Sequence, residues 1–307
     1  MFTYYFLIPL FVIGNIGNSL IIAYFVRSQK HGIRKMSGYH FLIIQLAIAD
    51  LVISFFVPVF SFADEKQIFG DSVASVFVCK AYPFYAMGFP NVSCWLLVLL
   101  SYERFRTILY PFKVKLTKMK LQVICTLIWV FFILVSIARS LKNQVHSGDC
   151  SAPMDIELLA HLTFTVTMDT FIPVTLMTIF YRRMSKKLKF EEDPLREVNV
   201  RDNANQRRKK QALKTILYLT IIYVCFVVPG RMLAMFLSFT YAFNPSLIVG
   251  PSTPKFIKHV WNTFLIFWVY VNNFANIFIY AALIKGFRSF VMTLCCPCRT
   301  KQIKETE

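Results

Sequence analysis

Seven runs of apolar residues, at about 2–26, 39–62, 76–103, 119–138, 158–181, 212–242 and 256–284, each reach the roughly 20-residue length a helix needs to cross a hydrocarbon core. No other feature limits the chain so severely. In lipid every backbone N–H and C=O must be satisfied inside the segment, so runs of this length become helices that pack as a bundle. With 56% of its 307 residues hydrophobic and 16% charged, the chain is too apolar for a soluble domain of its size. The expected class is an all-α membrane protein, a seven-transmembrane helix bundle occupying residues 1–284. Residues 285–307 are expected to form a short amphipathic C-terminal helix, with Phe287, Phe290, Val291 and Leu294 on one face, followed by a short cytoplasmic tail.

A formal charge of +18 would suit nucleic acid if the basic residues formed one surface, but they fall in short segments between the apolar runs. They act as topology signals, and no nucleic-acid partner is expected. An odd number of spans puts the two ends of the chain on opposite sides. With the N-terminus outside, 27 of the 34 lysines and arginines lie in the inner loops and tail and 7 elsewhere, so the positive-inside rule selects an extracellular N-terminus. The inner segment from Arg182 to Lys214 is expected to be two helical extensions with a flexible centre near Pro194. Met1 leads directly into apolar sequence without a basic leader, so the first run is expected to be its own insertion signal. Because that run opens at residue 2, ligand binding falls to helices and loops unless the sequence is a piece of a longer chain.

Polar groups inside spans are expensive and mark function by default. Asp50 sits in the middle of the second run, with Asn18, Ser93, Asn272, Asn273 and Asn276 at comparable depths in others. These oxygen donors form either a structural hydrogen-bond network or one that takes a small hard cation, with sodium expected at Asp50 and Ser93. Asp169 and Arg231 lie in the outer halves of the fifth and sixth runs. They either neutralise each other or anchor a charged ligand group. The cysteines divide by position into Cys79 and Cys150 at outer edges, three within runs, and Cys295, Cys296 and Cys298 after the last run. The last three have no second pair or histidine to complete a zinc site, and acylation is the better expectation.

The ordered set Gly17-Asn18, Leu46-Ala47-x-Ala49-Asp50, Cys79, Glu103-Arg104-Phe105, Trp129, Pro173, Tyr181, Pro229 and Asn276-x-x-x-Tyr280 resembles the class A, rhodopsin-like G-protein-coupled receptors over nearly the whole chain. The segments Cys79-Lys80-Ala81-Tyr82-Pro83 and Glu103 to Thr117 look most like neuropeptide receptors of the RF-amide type. The resemblance implies a plasma-membrane receptor that passes the signal of an extracellular peptide or small-molecule ligand to a heterotrimeric G protein. Glu103, Arg104, Tyr181, Asn276 and Tyr280 would form the switch, and Cys79 would pair with Cys150. It also implies a ligand pocket at the depth of Tyr82, Tyr85, Ala86 and Phe89 in the third span and of Thr165 and Asp169 in the fifth. Arg231, Asn262 and Tyr270 would complete it from the last two.

Three positions depart from the family pattern: Val227 replaces a tryptophan, Ile277 a proline, and Lys209 an acid that in many members restrains the switch arginine. A weakly restrained Arg104 and raised basal signalling are therefore expected. Ala86 stands where amine receptors carry an aspartate, and Tyr270 where opsins carry their lysine. The rival classes fit less well. A transporter would need broken helices or repeats around its substrate path, and an enzyme a nucleophile beside a base at membrane depth.

Overall fold

Long apolar runs satisfy their own backbones as helices, and the described residues form eight of them, the last one short. They are α1 (Phe2–Lys30), α2 (Gly38–Glu65), α3 (Val73–Leu109), α4 (Lys118–Ser140), α5 (Ile156–Phe190), α6 (Val200–Phe243), α7 (Val271–Leu283) and α8 (Lys285–Cys295). The computed structural model describes residues 2–30, 38–65, 72–111, 116–146, 149–151, 156–190, 200–243 and 271–295. Six helices are long and apolar enough to cross a membrane; the seventh apolar run is described only from Val271. The extensions of α5 to Phe190 and of α6 back to Val200 match the expected inner helices, while Pro194 lies outside the described residues.

Helix α3 is the axis of the bundle. Of its apolar window 67% is buried within the protein, against 22% for α4. Leu96, Leu97 and Leu100 join Leu42, Ile43 and Leu46 of α2 in the main core. Lipid is as apolar as leucine, so close packing and hydrogen bonds hold such helices together more than exclusion of water does. The bonds can be named: Trp129 Nε1 of α4 donates to Gln45 Oε1 of α2 at 3.2 Å, and Asn18 Nδ2 of α1 donates to the Asn273 carbonyl of α7 at 2.9 Å.

Three helices widen into π turns, at Phe84–Gly88, Thr167–Phe171 and Tyr223–Val227. Each turn ends two residues before a proline, Pro90, Pro173 or Pro229, and is centred on the residue four before it. A proline ring collides with the carbonyl four residues back and offers it no N–H. Widening the helix relieves the collision and leaves that carbonyl for another partner.

At the end the sequence reading places outside, β1 (Gln144–His146) and β2 (Asp149–Ser151) form a short antiparallel hairpin with Val145 opposite Cys150. Cys150 is bonded to Cys79 near the start of α3, as the resemblance implied, with Cα atoms 5.6 Å apart. Asn143 Nδ2 donates to the Cys79 carbonyl at 2.9 Å, and Ser140 Oγ to that of Lys80. The bridge spans a sequence separation of 71, which in the chain-entropy account contributes about 4 kcal/mol. Non-reducing mass mapping of surface-expressed protein should recover one Cys79–Cys150 cross-linked peptide, and Cys150→Ser should sharply reduce the folded fraction. Free thiols at both positions in folded protein would refute the pairing.

At the opposite end the chain turns by 104° between α7 and α8. Ile284 N–H donates to the Tyr280 carbonyl and Arg288 N–H to that of Ile284, which carries the backbone around the corner. Phe287 is fully buried against Tyr24 of α1, rings 5.4 Å apart, and Phe290 meets the same ring at 5.6 Å. Leu294, expected on the same face, is 52% exposed.

Candidate functional site

The polar residues inside the bundle form three levels around α3. The outer level grows from the π turn of α5. Pro173 gives no N–H to the Asp169 carbonyl, and two side chains from other helices take it instead: Tyr223 Oη of α6 and Cys94 Sγ of α3, the latter at 3.3 Å. Trp95 Nε1 donates to the neighbouring Met168 carbonyl at 2.9 Å. The same turn aims the Asp169 carboxylate at α6, where Arg231 Nε lies 3.2 Å from Oδ2, while Thr170 Oγ1 donates to Oδ1 at 3.0 Å. The side chains of Asp169 and Arg231 are only 2% and 13% exposed, so each is the other's neutralising charge in a dry setting. A cavity of about 10 Å³, space for about one water, is lined by this pair together with Pro90, Ser93, Tyr223, Val227, Asn272 and Asn273.

The other pocket candidates lie as follows. Tyr82 stacks on Phe60 with ring centroids 3.8 Å apart, Tyr85 on Phe56 at 4.3 Å, and Phe89 meets Trp129 edge-on at 5.3 Å. Ala86 is buried at the centre of its π turn, and Thr165 Oγ1 bonds back to the Leu162 carbonyl at 3.0 Å. Asn262 and Tyr270 lie outside the described residues.

The middle level centres on Asp50, which is fully buried. Ser93 Oγ donates to its Oδ1 at 2.7 Å, and Asn276 Nδ2 to its Oδ2 at 2.6 Å. Asn18 is tied to the Gly14 and Asn273 carbonyls, both at 2.9 Å. With isoleucine at 277, α7 keeps an amide N–H there and runs unbroken from Val271 to Leu283. The Ile277 side chain fills the space beside Gly17, where a Cβ would come within 3.1 Å of it. Asn272 Oδ1 and Asn276 Oδ1 are buried without a hydrogen-bond partner among the described residues. The Asp50 carboxylate, the Ser93 hydroxyl and the Asn276 amide supply oxygen atoms of the kind a small hard cation takes.

The inner level is the end of α3. The Arg104 guanidinium lies 3.4 Å from the centroid of the Tyr39 ring, at the first turn of α2. Its Nε is 3.6 Å from Glu103 Oε2, too long for a hydrogen bond, and Thr107 Oγ1 approaches Glu103 Oε1 at 3.4 Å. Tyr280 is buried with its ring 6.4 Å from Phe25, and its hydroxyl has no partner among the described residues. Tyr181 is half-buried on the inner stretch of α5.

Two parts of this arrangement were missed in the sequence reading. The bonds from Cys94, Trp95 and Tyr223 to the α5 turn had a signal in Pro173 and in a tyrosine hydroxyl within an apolar run, which must find an acceptor. The Tyr39 contact had no local signal.

A protein-family model described as "7 transmembrane receptor (rhodopsin family)" matches residues 17–280. The chain belongs to that family. The family is one of receptors rather than enzymes, and the transporter reading is not favoured. Among similar proteins is a tachykinin-like peptides receptor (86C) of Drosophila melanogaster, 22% identical over 92% of this chain and 56% of that protein. The RYamide receptor of the same fly is 25% identical over 75% and 52%, and a QRFP-like peptide receptor of Branchiostoma floridae 23% identical over 98% and 79%. The chain thus spans about half the length of the two fly receptors. Within the rhodopsin family it is a divergent member, and those relatives agree with the neuropeptide-receptor likeness of its third span.

Proposed function

We propose that this chain is a plasma-membrane receptor, N-terminus outside, that responds to an extracellular peptide and activates a heterotrimeric G protein. The observation that carries the reading is the stacked arrangement around α3: a charged pair in the outer half, a carboxylate network in the middle and a partly exposed arginine at the inner mouth. A ligand that shifts α5 against α6 alters the contact between Asp169 and Arg231 and, through the cavity lining shared by Arg231, Ser93 and Asn272, the Asp50 level. The named relatives support a peptide ligand, and the 27-to-7 distribution of basic residues supports the orientation. A small-molecule ligand for the same fold is the second reading.

Residues Asp50, Ser93, Asn272 and Asn276 would hold a sodium ion, which would supply a positive charge to a buried carboxylate. Asp50→Asn is then expected to remove any dependence of ligand affinity on sodium, measured against potassium at equal ionic strength. A mutant that kept the wild-type sodium effect would exclude this site. Lipid attachment at Cys295, Cys296 and Cys298 is our expectation for the tail; the last two lie outside the described residues.

The test of the whole reading is a panel of tachykinin-, RYamide- and QRFP-type peptides applied to cells expressing the chain with a promiscuous G protein. A concentration-dependent response absent from untransfected cells supports a peptide receptor. Silence towards every peptide, with a response to non-peptide ligands at verified surface expression, would favour the second reading.

A further inference from the structure

We propose that Tyr39 is the positioning residue of the switch arginine, its ring face serving as the resting seat of the Arg104 guanidinium. The inference rests on the coupling function above and adds where the restraint on Arg104 comes from.

Among the described residues two groups face this guanidinium. Glu103 is the weaker, because its Oε2 stands 3.6 Å from Arg104 Nε and neither atom has a hydrogen-bond partner there. The Tyr39 ring lies 3.4 Å away, well inside the roughly 6 Å over which a cation and an aromatic face attract. Guanidinium is planar and weakly hydrated, so it stacks on a ring where an ammonium would stay in water.

The first turn of α2 is built to hold the ring there. Gly38 packs against Leu121 of α4, where a Cβ would collide with the leucine Cδ1 and stand 4.0 Å from Glu103 Oε1. His40 is braced from the α1 side by Phe25, rings 5.1 Å apart. Glu103 is drawn along α3 by Thr107, whose Oγ1 donates to the Glu103 carbonyl at 2.8 Å and lies 3.4 Å from Oε1. These contacts hold the backbone on either side of Tyr39, whose ring packs against the main core and stands 6.0 Å from that of His40.

A G protein that needs this guanidinium must therefore take it off the ring. The strength of the stack helps set the balance between resting and active populations. The sixth helix offers Lys209 where many relatives offer an acid, and α2 supplies the restraint instead.

Two substitutions separate the ring from the hydroxyl: Tyr39→Phe keeps the aromatic face, and Tyr39→Leu removes it at similar bulk. In nanodiscs with a panel of purified heterotrimers and no ligand, Tyr39→Leu is expected to raise nucleotide exchange roughly three- to tenfold over wild type. Tyr39→Phe should stay within about twofold. The contact has its own readout in thermal melting without G protein. Tyr39→Leu should lower the melting temperature by a few degrees in the wild type and by clearly less on an Arg104→Met background, where no cation remains to stack. Equal losses on both backgrounds, equal exchange by the two variants, or wild-type exchange by Tyr39→Leu would each overturn the proposal. If no heterotrimer exchanges even with an active peptide, the coupling reading fails by itself. The melting cycle then still decides whether the ring seats the arginine.

Discussion

Arg104→Ala is expected to reach the cell surface at near wild-type levels and to lose G-protein activation at least tenfold. The two halves of this expectation have separate physical origins. The Arg104 side chain is 21% exposed, and its 3.6 Å approach to Glu103, itself 16% exposed, is too long for a hydrogen bond, so removing it breaks none there. The cation–π contact with Tyr39 contributes about 0.5–2 kcal/mol, within what a folded bundle tolerates. Coupling is a different matter. A guanidinium presents five donors in a rigid fork, and hydrogen bonds to a charged group are worth about 1.5–3 kcal/mol, or roughly ten- to a hundredfold in affinity. Arg104→Lys should recover only part of the loss, since an ammonium keeps the charge without the fork. Surface display can be measured by antibody to an N-terminal tag and activation by nucleotide exchange. A well-displayed Arg104→Ala receptor that activated normally would remove Arg104 from the switch.

The parts of this molecule that could be read in the sequence are those with a local or periodic cause. Helix lengths follow from the apolar runs because lipid leaves the backbone no alternative. The Asp50 level was legible because a carboxylate in a span must find donors, and Ser93 and Asn276 are at the right depth to supply them. The π turns had a local cause too, in Pro90, Pro173 and Pro229, but Pro173 and Pro229 entered the sequence reading only as family marks and Pro90 not at all. What stayed hidden was long-range pairing between a side chain and a freed carbonyl, such as Tyr223 with Asp169, because it depends on which faces two distant helices present. The restraint on Arg104 was sought on the sixth helix, at Lys209, while the contact that forms comes from Tyr39 on the second. Pocket-lining aromatics were equally illegible. Nothing in the sequence tells which neighbour an aromatic ring stacks on, as Tyr82 does on Phe60 and Tyr85 on Phe56.

The second large effect is expected at Asp169 and Arg231. Removing either partner of a buried ion pair leaves an uncompensated charge and costs about 3–5 kcal/mol, a large share of the 5–15 kcal/mol that holds a typical domain folded. Asp169→Asn and Arg231→Gln should therefore each reduce the folded, surface-displayed fraction severely. The double neutral substitution should be tolerated better than either one, because two hydrogen-bonding amides of similar shape leave no bare charge. Exchanging the charges, with Arg at 169 and Asp at 231, should rescue less completely. Position 169 sits in a π turn walled by Thr170, and an arginine there exceeds the space its aspartate fills. Melting temperature and surface display of the wild type, the two single mutants and the double neutral mutant give the coupling energy directly. An anchor for a charged ligand group would leave a different pattern: one single mutant displayed normally, its potency for an active peptide lost, and no recovery in the double mutant. The 3.2 Å contact and the near-complete burial of both side chains favour the first pattern. Two single mutants that fold and respond like the wild type would show that neither charge depends on the other and that no ligand depends on either.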